Sequence, residues 1–146
     1  LNINTPELKK PAGVWCEHCS PGKGCAIYET RFPICRTYKC GWLLGFVPEH
    51  WFPAKSKIVV SFAKGFLCFF VDPSVPGRWR EPEFYERIKS GAVNGHDKGE
   101  WFTYTVVGAR AWAILPDEDV ELPGGRYTPH EILTDEHGKV FVKFEE

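Results

Sequence analysis

Five of the six cysteines fall within one 25-residue stretch: Cys16, Cys19, Cys25, Cys35 and Cys40, with His18 between the first two. Two cysteines separated by two residues can turn both sulfurs toward one point, which is the knuckle of zinc–thiolate and iron–sulfur sites. Gly22 and Gly24 allow a tight bend that returns Cys25 toward the same centre, and Cys35 and Cys40 arrive from the following segment. Soft anionic sulfurs in that number suit zinc or iron, zinc being favoured. The expected metal ligands are therefore Cys16, Cys19, Cys25, Cys35 and Cys40, with His18 as a further candidate. Five thiols and an imidazole exceed one tetrahedral site. Either one thiol is spare, or residues upstream of Leu1 complete a second site. For His18 the geometry favours a place beside the ion, because knuckle residues between two ligands usually point away.

Two rival chemistries use the same sulfurs. Six cysteines make an even number that a secreted chain could pair as disulfides. Cys68, however, sits in Phe66-Leu67-Cys68-Phe69-Phe70-Val71, where a buried free thiol is expected. Trp15-Cys16-Glu17-His18-Cys19 also has the form of a redox dithiol. Such dithiols follow an apolar strand and open a helix, whereas here Lys10-Pro11-Ala12-Gly13 leads in and Ser20-Pro21-Gly22-Lys23-Gly24 leads out. Arg31, Arg36 and Lys39 lie among the cysteines, where cations offset thiolate charge; ordinary surface solubility is the alternative.

The elements that must hold this cluster change character near Phe52-Pro53. Before it the chain is rich in Cys, Gly and Pro; after it, Ile58–Phe62 and Phe66–Val71 read as strands joined at Lys64-Gly65. Glu81–Ser90 reads as a helix, with Pro82 in its first turn, Phe84, Tyr85 and Ile88 as an apolar stripe and Gly91 as a stop. Asn94-Gly95 and Lys98-Gly99 read as a loop. Trp101–Val107 and Ala111–Leu115 read as strands, and residues 131–142 as a hairpin turning near His137-Gly138.

Composition narrows the function. The 146 residues are 43% hydrophobic and 15% aromatic, enough for a packed core in one domain. With 18 basic and 19 acidic side chains, the chain lacks the basic excess of an electrostatic nucleic-acid binder. No apolar run approaches the ~18–20 residues that cross a bilayer, so no membrane partner is expected. The opening Leu1-Asn2-Ile3-Asn4-Thr5-Pro6 shows no secretion signal and no Met, and reads as a truncation of a cytoplasmic protein. Asp117-Glu118-Asp119 reads as a solvated acidic face. His50, His96, His130 and His137 are scattered over expected turns, and no nucleophile–base pair stands out. Trp42, Trp51, Trp79, Trp101 and Trp112 are expected mainly to pack the sheet or its seam with the cysteine lobe, leaving some aromatics for a protein partner.

Gly24-Cys25-Ala26-Ile27-Tyr28-Glu29-Thr30-Arg31-Phe32-Pro33-Ile34-Cys35-Arg36-Thr37-Tyr38-Lys39-Cys40 resembles a family signature. It is that of the bacterial cysteine-cluster proteins described as a zinc- or iron-chelating domain (YkgJ-like), Gly-x-Cys-x-Ile-Tyr-x-x-Arg-Pro-x-x-Cys-Arg-x-Phe/Tyr-x-Cys. The likeness spans residues 8–45, with the proline displaced by one position to Pro33. The resemblance implies chelation by Cys16, Cys19, Cys25, Cys35 and Cys40, with Tyr28, Arg31 and Arg36 as signature positions beside the metal or balancing its charge.

The expected architecture is α+β: a metal-stapled, Cys-rich loop lobe (1–50) packed on a mainly antiparallel sheet with one helix (51–146). The expected function is non-catalytic metal binding, as a metal-stabilised interaction module or a metal handler. An iron–sulfur or redox component of an oxidoreductase system is the alternative, and a protein–protein adaptor with purely structural zinc is the second.

Overall fold

The computed structural model describes residue 9 and residues 15–63, 65–125, 131–134 and 140–143. Its N-terminal part holds a short hairpin of β1 (Cys19–Ser20) and β2 (Gly24–Cys25), then helix α1 (Pro33–Thr37) and helix α2 (Pro53–Ser56). The rest is built on β3 (Ile58–Ala63), β4 (Phe66–Val71), helix α3 (Pro82–Lys98), β5 (Phe102–Val107), β6 (Arg110–Ile114) and β7 (Asp119–Glu121). These five strands form one sheet in the order β3-β4-β5-β6-β7. All neighbours are antiparallel except β4 and β5, which run parallel because α3 carries the chain back between them. The class is α+β, as the strand and helix patterns indicate. A separate antiparallel pair, β8 (Glu131–Thr134) and β9 (Val140–Lys143), matches the expected terminal hairpin. Its expected turn at His137-Gly138 lies outside the described residues.

Period-two alternation decides which side chains meet. Val60, Phe69, Thr105 and Trp112 line up across four strands on one face, and Ser61, Cys68, Tyr104 and Ala113 on the other. The first face packs under α3, whose Phe84, Ile88 and Ala92 recur every fourth residue and are all buried. Trp51 and Trp79 complete this core, each 1% exposed. Full burial of one such large apolar side chain contributes about 2–3 kcal/mol.

Helix α3 does not stop at Gly91. It runs 17 residues to Lys98 and ends at Gly99, whose left-handed backbone (φ 65°) turns its N–H onto the Gly95 and His96 carbonyls. Asn94-Gly95 is therefore helix rather than loop, and His96 lies in its last turn. The two glycines are interior because Trp101 closes on them. Its indole Nε1–H donates to the Gly91 carbonyl at 3.0 Å. A methyl group on Gly95 would stand 2.4 Å from that same nitrogen.

Residues 40–47 anchor the N-terminal part to the sheet. The Gly41 N–H donates to the Val60 carbonyl at 2.6 Å. Trp42 and Val47 pack against the core, and Arg87 of α3 donates to the Phe46 carbonyl at 2.7 Å. Among the described residues no helix is long and apolar enough to cross a membrane.

Candidate functional site

The sequence Cys16–Cys25 folds as a knuckle. The Cys19 N–H donates to the Cys16 carbonyl at 2.9 Å, closing a turn over the two intervening residues. Cys19 then pairs across the hairpin with Cys25, and Ser20 with Gly24. Residues directly opposite in an antiparallel pair carry their Cβ atoms on one face, about 4.5–5.5 Å apart. The tip is closed by the Lys23 N–H on the Ser20 carbonyl at 2.9 Å, and the Ala26 N–H on the His18 carbonyl extends the ladder at 2.8 Å. Gly22 (φ 78°) and Gly24 (φ 98°) supply the left-handed positions that side chains rarely adopt, as the expected tight bend requires. Cys25 is exposed, and Cys16 and Cys19 are half-buried.

The next segment is stitched by its arginines. Arg31 lies 3.9 Å from the Tyr28 ring centre, and its Nη1 donates to the Tyr28 carbonyl at 2.6 Å. Arg36 donates from Nε to the Arg31 carbonyl at 3.1 Å and from Nη2 to the Glu29 carbonyl at 2.8 Å. Tyr28, Arg31 and Arg36 thus form a brace that ties the 3-10 turn Tyr28–Thr30 to the helix carrying Cys35. Pro33 takes the first position of α1, where its missing N–H costs nothing, and the Cys35 N–H caps back onto the Phe32 carbonyl at 2.9 Å.

Cys40 sits elsewhere, buried beside the point where Gly41 joins β3. Tyr38 shares that region through a hydrogen bond with the Ser61 side chain. Burial is the main cause that raises the Tyr38 phenol, with charge on Cys40 and Cys68 acting in the same direction. Cys68 lies in the second core, and burial pushes its thiol up to about 11, in keeping with an inert structural cysteine. All six cysteines are free thiols. Among the described residues no group of three or more His, Cys, Asp or Glu side chains is placed to hold a metal ion. The hairpin unites Cys16, Cys19 and Cys25 in one short loop. Cys35 stands on the braced helix α1, and Cys40 is buried one residue before Gly41, which bonds to β3. His18 places Nε2 3.5 Å from the Glu17 carboxylate and its ring 6.1 Å from that of Phe32.

Other expected features redistribute. Asp119 is not part of a solvated face: it accepts from Tyr85 Oη at 2.7 Å and from Lys89 Nζ at 2.9 Å, fastening β7 to α3. Trp51, Trp79 and Trp112 are core, while Trp15, Leu43 and Phe46 are among the exposed large apolar side chains of the N-terminal part. His50 lies 6.2 Å from the Phe84 ring; His130 lies outside the described residues. Sequence reasoning assigned nothing to Arg80 and Arg110. The signal was present, for each lies one or two positions from a tryptophan, in Arg78-Trp79-Arg80 and Arg110-Ala111-Trp112.

Comparison with protein-family models, with curated proteins and with solved structures finds no match to this chain.

Proposed function

We propose that this chain is a non-catalytic metal-binding protein, whose N-terminal thiols take a soft-ligand cation, zinc ahead of iron, in the bacterial cytoplasm. The observation that carries the reading is the hairpin in which the Cys16 carbonyl receives the Cys19 N–H while Cys19 stands opposite Cys25. That backbone presents cysteines as zinc knuckles do, and it forms here from a Gly-rich loop with little apolar burial of its own. The arginine brace supports it by fixing the Cys35 helix to the turn at residues 29–31, a few residues beyond Cys25. The likeness of residues 8–45 to the YkgJ-like cysteine-cluster signature supports it as well. Six free thiols fit a reducing compartment.

Because no three of these side chains converge among the described residues, ion capture on this reading includes closure of the lobe. Binding free energy then becomes folding free energy for residues 15–40, on the order of 10 kcal/mol in small structural zinc sites. The test is titration of the reduced, metal-free chain with Co2+ followed by Zn2+. Intense visible absorbance from tetrahedral thiolate–cobalt, displaced by zinc and accompanied by slowed amide exchange across residues 15–40, is the expected result. Weak pink absorbance without displacement overturns the proposal. A brown protein as purified, with sulfur-to-iron charge-transfer bands, would instead mark the iron–sulfur alternative.

A further inference from the structure

Away from the cysteines, the parallel strands β4 and β5 end at Val71 and Val107, and beyond those carboxyl ends opens a cavity of about 430 Å3. Crevices at the carboxyl ends of parallel strands are where open α/β sheets place ligands, and sites for small molecules run at roughly 300–1,000 Å3. Its floor is set by the indoles of Trp79 and Trp112, almost fully buried and 5.4 Å apart between ring centres, and its rim includes Pro73 and Pro76. Only two charged side chains line it, and both are arginines.

Each guanidinium lies over an aromatic ring. Arg80 lies 4.0 Å from the Trp79 ring centre and 5.8 Å from that of Trp112. Arg110 lies 4.7 Å from the Trp112 centre. Arg110 spends its Nε and Nη2 on the Glu121 carboxylate at 2.7 and 2.8 Å. Among the described residues Arg80 donates no hydrogen bond and makes no ion pair within 4.0 Å; its charge reaches the Glu121 carboxylate, which the Arg110 hydrogen bond chiefly lowers, and adds to that lowering, but its planar fork of donors is not spent there. The loop that carries it is already ordered. Asp72 accepts from the Ser74 N–H at 2.9 Å, which lowers its carboxyl below the usual range, and Arg78 pairs with Glu81 at 3.0 Å.

We propose that this cavity is a binding site for a small organic anion, in which a carboxylate or phosphoryl group is taken by Arg80 and a flat apolar body lies against the proline rim above the tryptophan floor. A guanidinium fork matches two oxygens of either head group, and stacking removes part of the ordering cost on binding. The site stands independently of the metal proposal and shares no residue with it.

The test is calorimetric titration of the full chain with benzoate, phenyl phosphate and neutral benzyl alcohol, with the indole N–H resonances of Trp79 and Trp112 followed by NMR. At least one of the two anions should bind saturably and shift both resonances, the stronger of the two identifying the head group. Arg80→Gln should weaken that anion by about tenfold or more, the usual effect of losing a charge-assisted pair, while the chain still unfolds in one cooperative urea transition at a midpoint lowered only by the lost stacking on Trp79. Benzyl alcohol binding as well as the anions, unchanged anion affinity in Arg80→Gln, or no saturable binding by either anion each overturns the proposal.

Discussion

Replacing Gly95 by alanine tests how α3 sits on the sheet. In an exposed helix the change stabilises by about 1 kcal/mol, since glycine is the poorer helix former. Here the added methyl would lie 2.4, 2.5 and 2.7 Å from Nε1, Cδ1 and Cε2 of Trp101. These atoms belong to a rigid ring, and that ring is held by Phe62 edge-on at 5.6 Å and by its hydrogen bond to Gly91. Relief requires the indole to move, which breaks a hydrogen bond worth about 1 kcal/mol and offsets the propensity gain. What remains is overpacking, about 1–3 kcal/mol of destabilisation. At about 3 °C per kcal/mol for a chain of this size, the melting temperature should fall by about 3–9 °C. Gly91→Ala is the matched control, because its methyl meets only the mobile Cδ2 of Leu67 at 2.9 Å and should cost much less. Urea unfolding followed by tryptophan fluorescence measures both. A Gly95→Ala chain as stable as the parent would refute the close approach.

Further outcomes follow from the cysteine lobe and the core. Arg36→Ala should loosen residues 26–38 by about 1 kcal/mol, read as faster amide exchange, and Arg36→Lys should not restore protection, since an ammonium lacks the fork that spans two carbonyls. With iodoacetamide at neutral pH, Cys25 should label in the native chain, while Cys40 and Cys68 label only after unfolding, as peptide mass mapping would show. Burial raises the Cys68 thiol from 9.0 to about 11, so the unfolded chain loses its proton first. Stability should therefore be undiminished below pH 9 and fall as pH rises toward 11, by about 2–3 kcal/mol from this group, and a Cys68→Ala chain should show a flatter decline.

Much of the fold was legible because it rests on short-range pattern. Ile58–Phe62 and Phe66–Val71 stand out as apolar, β-branched and aromatic runs, and those strands lie within one residue of where the runs put them. Gly91 misled for a physical reason: glycine ordinarily ends helices, but here the helix runs on past it, its carbonyl takes the Trp101 indole N–H, and Gly95 one turn later leaves the room in which that ring lies against α3. That contact spans six to ten residues, beyond the three- and four-residue spacing from which a helix is read. Asp119 is similar, since nothing beside it in sequence announces Tyr85 and Lys89. In the candidate site, the Cys16–Cys25 hairpin was readable from its glycines. The separate placement of Cys40 was not, because it follows from a backbone bond between Gly41 and Val60. The brace made by Tyr28, Arg31 and Arg36 was marked by residue type alone, and its carbonyl partners emerge only when the chain is folded.

Elemental analysis of the anaerobically purified chain, set beside Cys25→Ser, Cys35→Ser and Cys68→Ser, bears most directly on the proposed role. Near-stoichiometric zinc or iron in the parent and in Cys68→Ser, with loss of metal and lower stability in the Cys25 and Cys35 variants, is the predicted result. A parent free of bound metal after growth with ample zinc and iron, or metal retained when Cys25 and Cys35 are both replaced, would contradict it.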